Sequence, residues 1–382
     1  MTQRLLGDLA SITVGHVGPM ADEYQSSGVP FLRSLNVRPF RIDLTDIRYI
    51  SSAFHSSLKK SALSPGDVVV VRTGEPGTAA VIPEELEVSN CSDLVVIRPG
   101  RELDSKFLCY YMNGAARGFV DSRTVGAVQQ HFNVSSAREI PMPDLNLEEQ
   151  QVISNTLGSL DALAAENRRQ MENILRMSKI LYGTLSKAEG MDVPLGSLCD
   201  INPTKERKAG SGVITYLPIG AVGDGFVDWP EQVLWLDAPA AARLRVSAGD
   251  VIWSRVRPNR RSHALLVSPP DNTIVTTGMV VLRPKAISAA QLFAITDSAD
   301  FSRYLSSKAD GTTYPTVDSA VFETAKVRTL KSKAADSFDN VMIPMWQMFA
   351  ELQNQTVLLE KTRDRLLPEM ISRRIVTDGT RK

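Results

Sequence analysis

The 382-residue chain repeats itself, and that repeat limits its folds more than any other feature. LLGDL at Leu5 returns as PLGSL at Pro194, and PGDVVVVRTG at Pro65 as AGDVIWSRVRP at Ala248. DLVVIRP at Asp93 returns as GMVVLRP at Gly278, and GAVQQHFNV at Gly126 as GTTYPTVD at Gly311. The offsets are 189, 183, 185 and 185 residues in one order, which composition alone does not produce, so the chain is an internal duplication. The length itself suits two domains rather than one core.

Each copy begins with strand patterning. VVVV and MVVL are β-branched, apolar runs punctuated by Gly-Asp and Pro, and they read as buried strands. LDSKFLCYYMNGAARGFV (103–120) and ISAAQLFAITDSADFSRYLSS (287–307) carry the 3.6-residue period of packed helices. Each copy then runs into a long helical stripe. In the first, Ile153, Leu157, Leu160, Ala164, Asn167, Met171, Ile174, Ser178, Leu181 and Leu185 alternate four and three apart, an a/d seam. Asn146 and Glu149 have capping-box spacing at its start.

In the second stripe, from about Ala335 to Ile375, Phe338, Met342, Met345, Phe349, Leu352, Thr356, Leu359, Arg363, Leu366 and Met370 repeat the spacing. Pro344 and Pro368 interrupt it, predicting a late start or a kink. MIPMWQMFAEL reads as an exposed, Met-rich face. Neither helix can bury a one-sided stripe alone, so each is the natural partner of the other, with Ile153, Leu157, Leu160, Asn167, Met171, Ile174 and Leu181 facing Met345, Phe349, Leu352, Leu359 and Leu366. The expected fold is α+β: two similar mixed α/β domains over 1–144 and 189–332, followed by long helices over 145–188 and 333–382.

Composition excludes several classes. The 43 basic residues balance the 43 acidic ones, which argues against a nucleic-acid coat held by charge excess but not against a reader with a few well-placed cations. No signal-peptide core and no run of about 18 apolar residues is found, so a cytoplasmic protein without membrane contact is expected. Cys91, Cys109 and Cys199 have no CxxC spacing and read as reduced, buried thiols. No phosphate loop, no Gly-x-Ser-x-Gly elbow and no metal-ligand spacing among His16, His55, His131 and His263 appears, so no catalytic constellation and no metal site is expected.

PGDVVVVRTGEPGTAAVI, VQQHFNVSSAREIPMPDLNLEEQQVISNTLGSLDAL and LLEKTRDRLLPEMISRRI closely resemble the specificity subunit of type I restriction-modification systems. The resemblance covers essentially the whole chain, although the second half lacks the Pro-x-Pro and Glu-Glu-Gln of the first. It implies two target-recognition domains, each followed by a long helix, with the helices paired as an antiparallel coiled coil in a pseudo-twofold molecule. It implies a non-catalytic subunit that binds double-stranded DNA and assembles with two methylation subunits, with or without an ATP-driven restriction subunit. S-adenosylmethionine, ATP and magnesium would then belong to those partners, and each methylation subunit would flip an adenine out of the stack. Glu148, Glu149, Arg168, Arg169, Arg363 and Arg365 on helix faces are candidate partner contacts.

The candidate reading groups follow from base-edge chemistry. Amides pair with adenine and guanidiniums with guanine, which singles out the polar knot Gln129, Gln130, His131 and Asn133 and the run Arg255, Arg257, Asn259, Arg260 and Arg261. A surface loop bonding its own backbone is the readier explanation of the knot from the residues alone, and the resemblance reverses that preference; a solvated charge run is the usual explanation of such arginines. Arg72, Thr73 and Glu75 occupy the matching loop of the first copy, and Thr312, Thr313 and Tyr314 the place matching the knot. Glu75 could accept from a cytosine amine or simply face solvent. The domains differ in sequence, so the target should be asymmetric and bipartite. Two other classes stay open: a coiled-coil scaffold that binds no DNA, told apart by salt-sensitive duplex binding, and an unrecognised methyltransferase, told apart by S-adenosylmethionine binding to the isolated chain.

Overall fold

A computed structural model describes residues 4–123, 131–206 and 212–372. The chain divides into two compact units, Met1–Ala164 with Val357–Lys382, and Ala165–Thr356. The dividing points fall inside the long helices, so each unit owns one globular region and part of both helices.

In the first unit the strands are β1 (Ala10–Val14), β2 (Val29–Leu32), β3 (Val37–Arg38), β4 (Arg41–Ile42), β5 (Arg48–Ile50), β6 (Ala62–Leu63), β7 (Val68–Val71), β8 (Ala79–Val81), β9 (Ser89–Cys91) and β10 (Leu94–Pro99). Its helices are α1 (Leu6–Leu9), α2 (Ser52–Ser57), α3 (Ser105–Asn113), α4 (Arg117–Ser122), α5 (Val134–Arg138) and the first part of α6 (Leu147–Glu189). Two four-stranded sheets form, in the orders β1-β10-β7-β8 and β5-β2-β9-β6, beside the hairpin β3-β4. The β7 run is apolar throughout because both its faces are covered. Val68 and Val70 pack with Phe107, Leu108, Leu157 and Leu367, whereas Val69 and Val71 pack with Leu32, Leu63 and Cys91 of the second sheet. The period-two alternation of a strand does the sorting.

The second unit adds β11 (Gly190–Pro194), β12 (Cys199–Ile201), β13 (Val213–Leu217), β14 (Gln232–Leu234), β15 (Ala242–Arg245), β16 (Val251–Ser254), β17 (His263–Leu265), β18 (Thr273–Thr276), β19 (Met279–Pro284) and β20 (Lys326–Leu330). Its helices are the rest of α6, then α7 (Ala289–Thr296), α8 (Ala299–Ser307), α9 (Ser319–Thr324) and most of α10 (Ser332–Ile371). The sheets run β12-β19-β16-β17 and β14-β13-β18-β15, strand for strand the order of the first unit. Even the parallel strand pairing recurs, β2 with β9 and β13 with β18. The duplicated Gly-Asp and Arg-Pro landmarks also have a shared purpose. Asp67 and Asp250 accept the backbone N–H three residues upstream, and each carboxylate faces the arginine that ends the neighbouring strand, Arg98 or Arg283.

Within each unit the two long helices run in opposite directions. In the second, the rings of Tyr182 and Phe338 meet edge to face and Asn167 lies opposite Gln355. In the first, Asp161 pairs with Arg363, and Ile153 and Leu157 share a core with Leu367 and Met370. The capping box is in place, Asn146 and Glu149 each accepting the other's backbone N–H at 2.9 Å.

Several expectations need correction. Each predicted helix at 103–120 and 287–307 is two helices, broken at Gly114 in the first and re-capped by Ser298 in the second. α10 begins at Ser332 and continues through Pro344, so no late start occurs there; residue 375 lies outside the described residues. Phe338, Met342, Trp346 and Phe349 are all buried around that proline, and their packing outweighs its cost of about 3 kcal/mol. The Met-rich stretch is therefore not an exposed face: Met342 and Trp346 belong to the core, and of the three methionines only Met348 is exposed.

Candidate nucleic-acid interface

The loops after β7 and β16 hold most of the candidate reading residues. Val71 N–H donates to the Thr78 carbonyl and Ser254 N–H to the Ser262 carbonyl, both at 2.8 Å, so the two loops close in the same way. At the head of each loop an arginine docks the segment that follows α4 or α8. Arg72 Nε donates to the Phe132 carbonyl at 3.3 Å, and Arg255 Nε to the Val317 carbonyl at 2.8 Å. The backbone returns the contact, Phe132 N–H donating to Arg72 and Val317 N–H to Arg255. One residue further on, Asn133 caps α5 and Asp318 caps α9. These arginines build the site from beneath, which their residue type did not disclose.

In the first unit Arg72 also bonds the Asp93 carboxylate at 2.6 Å. Thr73 Oγ1 lies 3.3 Å from the other Asp93 oxygen and 2.9 Å from His131 Nδ1, so Arg72 and Thr73 meet at one carboxylate and His131 joins them through Thr73. Asp93 itself has left-handed backbone, φ +50°, a conformation that costs a non-glycine residue about 1–2 kcal/mol and here aims its carboxylate at the loop. Glu75 is exposed at the loop tip. Asn133 is occupied, its side-chain oxygen accepting from Ser136 N–H and Ser135 Oγ. Gln129 and Gln130 lie outside the described residues.

In the second unit the four arginines have unlike environments. Arg257 lies over the Tyr314 ring at 4.5 Å and donates to the Thr313 carbonyl at 3.0 Å, which joins the arginine loop to Thr312, Thr313 and Tyr314, all exposed. Arg261 bonds both Asp224 oxygens at 2.9 and 3.1 Å and also the Asp297 carboxylate, so the attraction of these acids outweighs burial and raises its pKa. His263, fully buried, stands 3.2 Å from Asp297. Asp224, His263 and Asp297 would present ligand atoms within 4.8 Å of one another, but the Arg261 guanidinium already supplies a cation there. Asn259 and Arg260 are exposed, and neither side chain has a hydrogen bond or ion pair among the described residues.

A further basic element sits on the first unit's hairpin. Arg38 and Arg41 lie in the β3-β4 hairpin and Arg33 and Arg48 flank it; its turn residue Phe40 donates its N–H to the Ala79 carbonyl just after the Arg72–Thr78 loop. Arg33 pairs with Asp46 at 3.0 Å, and Arg38 reaches Asp43 at 3.7 Å. Arg41 is exposed with no ion pair among the described residues. Four arginines in sixteen residues were the available signal.

The helix-pairing candidates fall as follows. Ile153 and Leu157 are buried in the first unit's core with Leu366 packed against it, and Leu160 and Leu359 are half-buried. Ile174, Phe349 and Leu352 are buried in the second unit's core with Met171, Leu181 and Met345 packed against it, and Asn167 is buried. Tyr182, Trp346 and Leu367 were missed; they lie one position beside the seam and widen it. Arg363 is not a free partner contact: its side chain is 11% exposed, pairs with Asp161 and Asp364, and lies over the Phe40 ring.

The two units are copies of one architecture, a two-sheet globular module carried on paired long helices, and this is the fold of type I restriction-modification S subunits. The chain matches the crystal structure of the type I restriction-modification S subunit from M. genitalium with a TM-score of 0.55 and 15% identity, over 97% of this chain and 95% of that one. The HsdS subunit from Thermoanaerobacter tengcongensis matches at a TM-score of 0.36, and a chain from a structure on complex assembly of the type I R-M system at 0.39, each at 15% identity over 96% of this chain and covering 95% and 96% of those chains. No protein-family model and no curated protein matches the chain. No helix among the described residues is long and apolar enough to cross a membrane.

Proposed function

We propose that this chain is the DNA-reading subunit of a cytoplasmic type I restriction-modification enzyme. The observation that carries the reading is the full-length fold match to an S subunit, spanning both units and both long helices. Each unit reads one half of a bipartite target on double-stranded DNA, through the loop after β7 or β16 and the segment docked beside it. The two loops differ in charge, with Glu75 at one tip and Asn259 and Arg260 at the other, so the half-sites differ in sequence. The chain catalyses nothing. Two methylation subunits bring S-adenosylmethionine and modify an adenine in each half, and a restriction subunit, where present, brings ATP and magnesium chemistry.

The test is a complex of the chain with its methylation partner. It should bind one split duplex with a steep salt dependence, because phosphate contacts release counterions. Exchange of residues 1–144 should rewrite one half of the methylated motif and leave the other intact. A contiguous palindromic motif, or methyl transfer by the isolated chain, would sink the proposal.

A further inference from the structure

We infer that, of the four arginines in the loop after β16, only Arg260 reads DNA, taking a guanine edge in the major groove beside Asn259, while Arg257 and Arg261 hold the loop in shape. The inference rests on the DNA-reading role proposed above and narrows it to one guanidinium. The two duplicate loops need two left-handed residues each. In the first unit these are Gly74 and Gly77, at φ +98° and +88°; in the second they are Arg257 and Arg261, at φ +49° and +55°. Nothing lies within 4 Å of a Cβ built at Gly74, so backbone conformation alone accounts for glycine there.

An arginine in such a position is strained unless its side chain returns something. Arg257 returns the Tyr314 ring contact and the Thr313 hydrogen bond, and Arg261 the two carboxylates. Arg255 is engaged with the Val317 carbonyl and lies 3.7 Å from Asp318. Between the two strained residues, Pro258–Arg260 form a single tight turn with buried Pro258 at its first position. That turn lifts Asn259 and Arg260 into solvent on a rigid tip, so little ordering remains to be done on binding.

The duplicate loop says which part of DNA the tip meets. Its tip carries Glu75, an anion, which a phosphate would repel. A base edge accepts either sign: guanine presents acceptors to an arginine, and cytosine presents an amine to a glutamate. A loop that carries a cation in one copy and an anion in the other is therefore placed on base edges.

The test uses the assembled complex with its methylation partner and a panel of duplexes varying each position of the second half-site. Arg260→Ala should lose about tenfold or more in affinity for the cognate duplex. It should also lose discrimination at one G·C pair while keeping the salt slope. Arg257→Gly should bind more tightly than Arg257→Ala, because glycine takes the left-handed backbone freely whereas alanine keeps the strain without the contacts. A uniform loss over all duplexes with the salt slope reduced by about one would make Arg260 a phosphate contact and overturn the inference. Arg257→Gly relaxing a base position would overturn it as well. A wild-type complex that binds no duplex overturns both this and the DNA-reading role.

Discussion

The loop after β7 and the loop after β16 have the same closure and opposite means of achieving it. The first uses Gly74 and Gly77 and asks nothing of their side chains. The second uses Arg257 and Arg261 and requires a ring, a carbonyl and two carboxylates to hold them. The backbone path is therefore the shared property, and the side chains that stabilise it are free to differ. A shape kept while its chemistry changes is what a pair of readers for unlike half-sites would need.

The largest expected effect separates the two loops by the cost of losing an anchor. Arg261→Ala leaves the Asp297 carboxylate, 10% exposed, without its cation and should destabilise the second unit by about 3 kcal/mol. Trp229, Trp235, Trp253 and Trp346 are the four tryptophans and all belong to that unit, so intrinsic fluorescence during urea unfolding reads it directly. An unmoved fluorescence transition would show that the carboxylates do not hold the loop.

Next in size, Arg72→Ala removes charged hydrogen bonds to Phe132 and Asp93 and should cost about 2 kcal/mol. This loss belongs to the first unit and should appear in far-UV circular dichroism with no shift in the tryptophan signal. Gly74→Ala should cost about 1 kcal/mol, since only its φ of +98° opposes a side chain. A neutral result there would remove the contrast between the loops.

The smallest effect concerns the thiols. Burial pushes Cys199 up to about 12, and Cys109, also buried, up to about 12; Cys91, the third, is raised further by burial. A raised thiol pKa keeps the reactive thiolate scarce at every pH below it, so at pH 8 a fraction on the order of one in ten thousand is ionised. Alkylation of the folded chain at pH 8 should be negligible in both units and should become rapid only in denaturant.

Much of the fold was legible because periodicity is a local property. The duplicate landmarks, the capping box at Asn146 and the a/d seam all lie in short windows of sequence, and the helices and sheets form where those windows place them. Less of the interface was legible, for a physical reason. An arginine near a turn looks the same in sequence whether it faces water, a phosphate or a buried aspartate. Arg255 and Arg261 were chosen for their charge, yet they bind Val317, Asp224 and Asp297, which are distant in sequence. Asn133 was chosen for its amide and is a helix cap.

By itself the sequence determined the repeat, the strands with both faces apolar and the long helical stripes, since each follows from spacing and side-chain character along the chain. Only the tertiary structure decided which cations are already paired, which residues take left-handed backbone, and which side chains remain free at the loop tips. Those outcomes depend on partners 30 to 60 positions away, such as Asp297 for Arg261 and His131 for Thr73, and no local pattern encodes such a meeting.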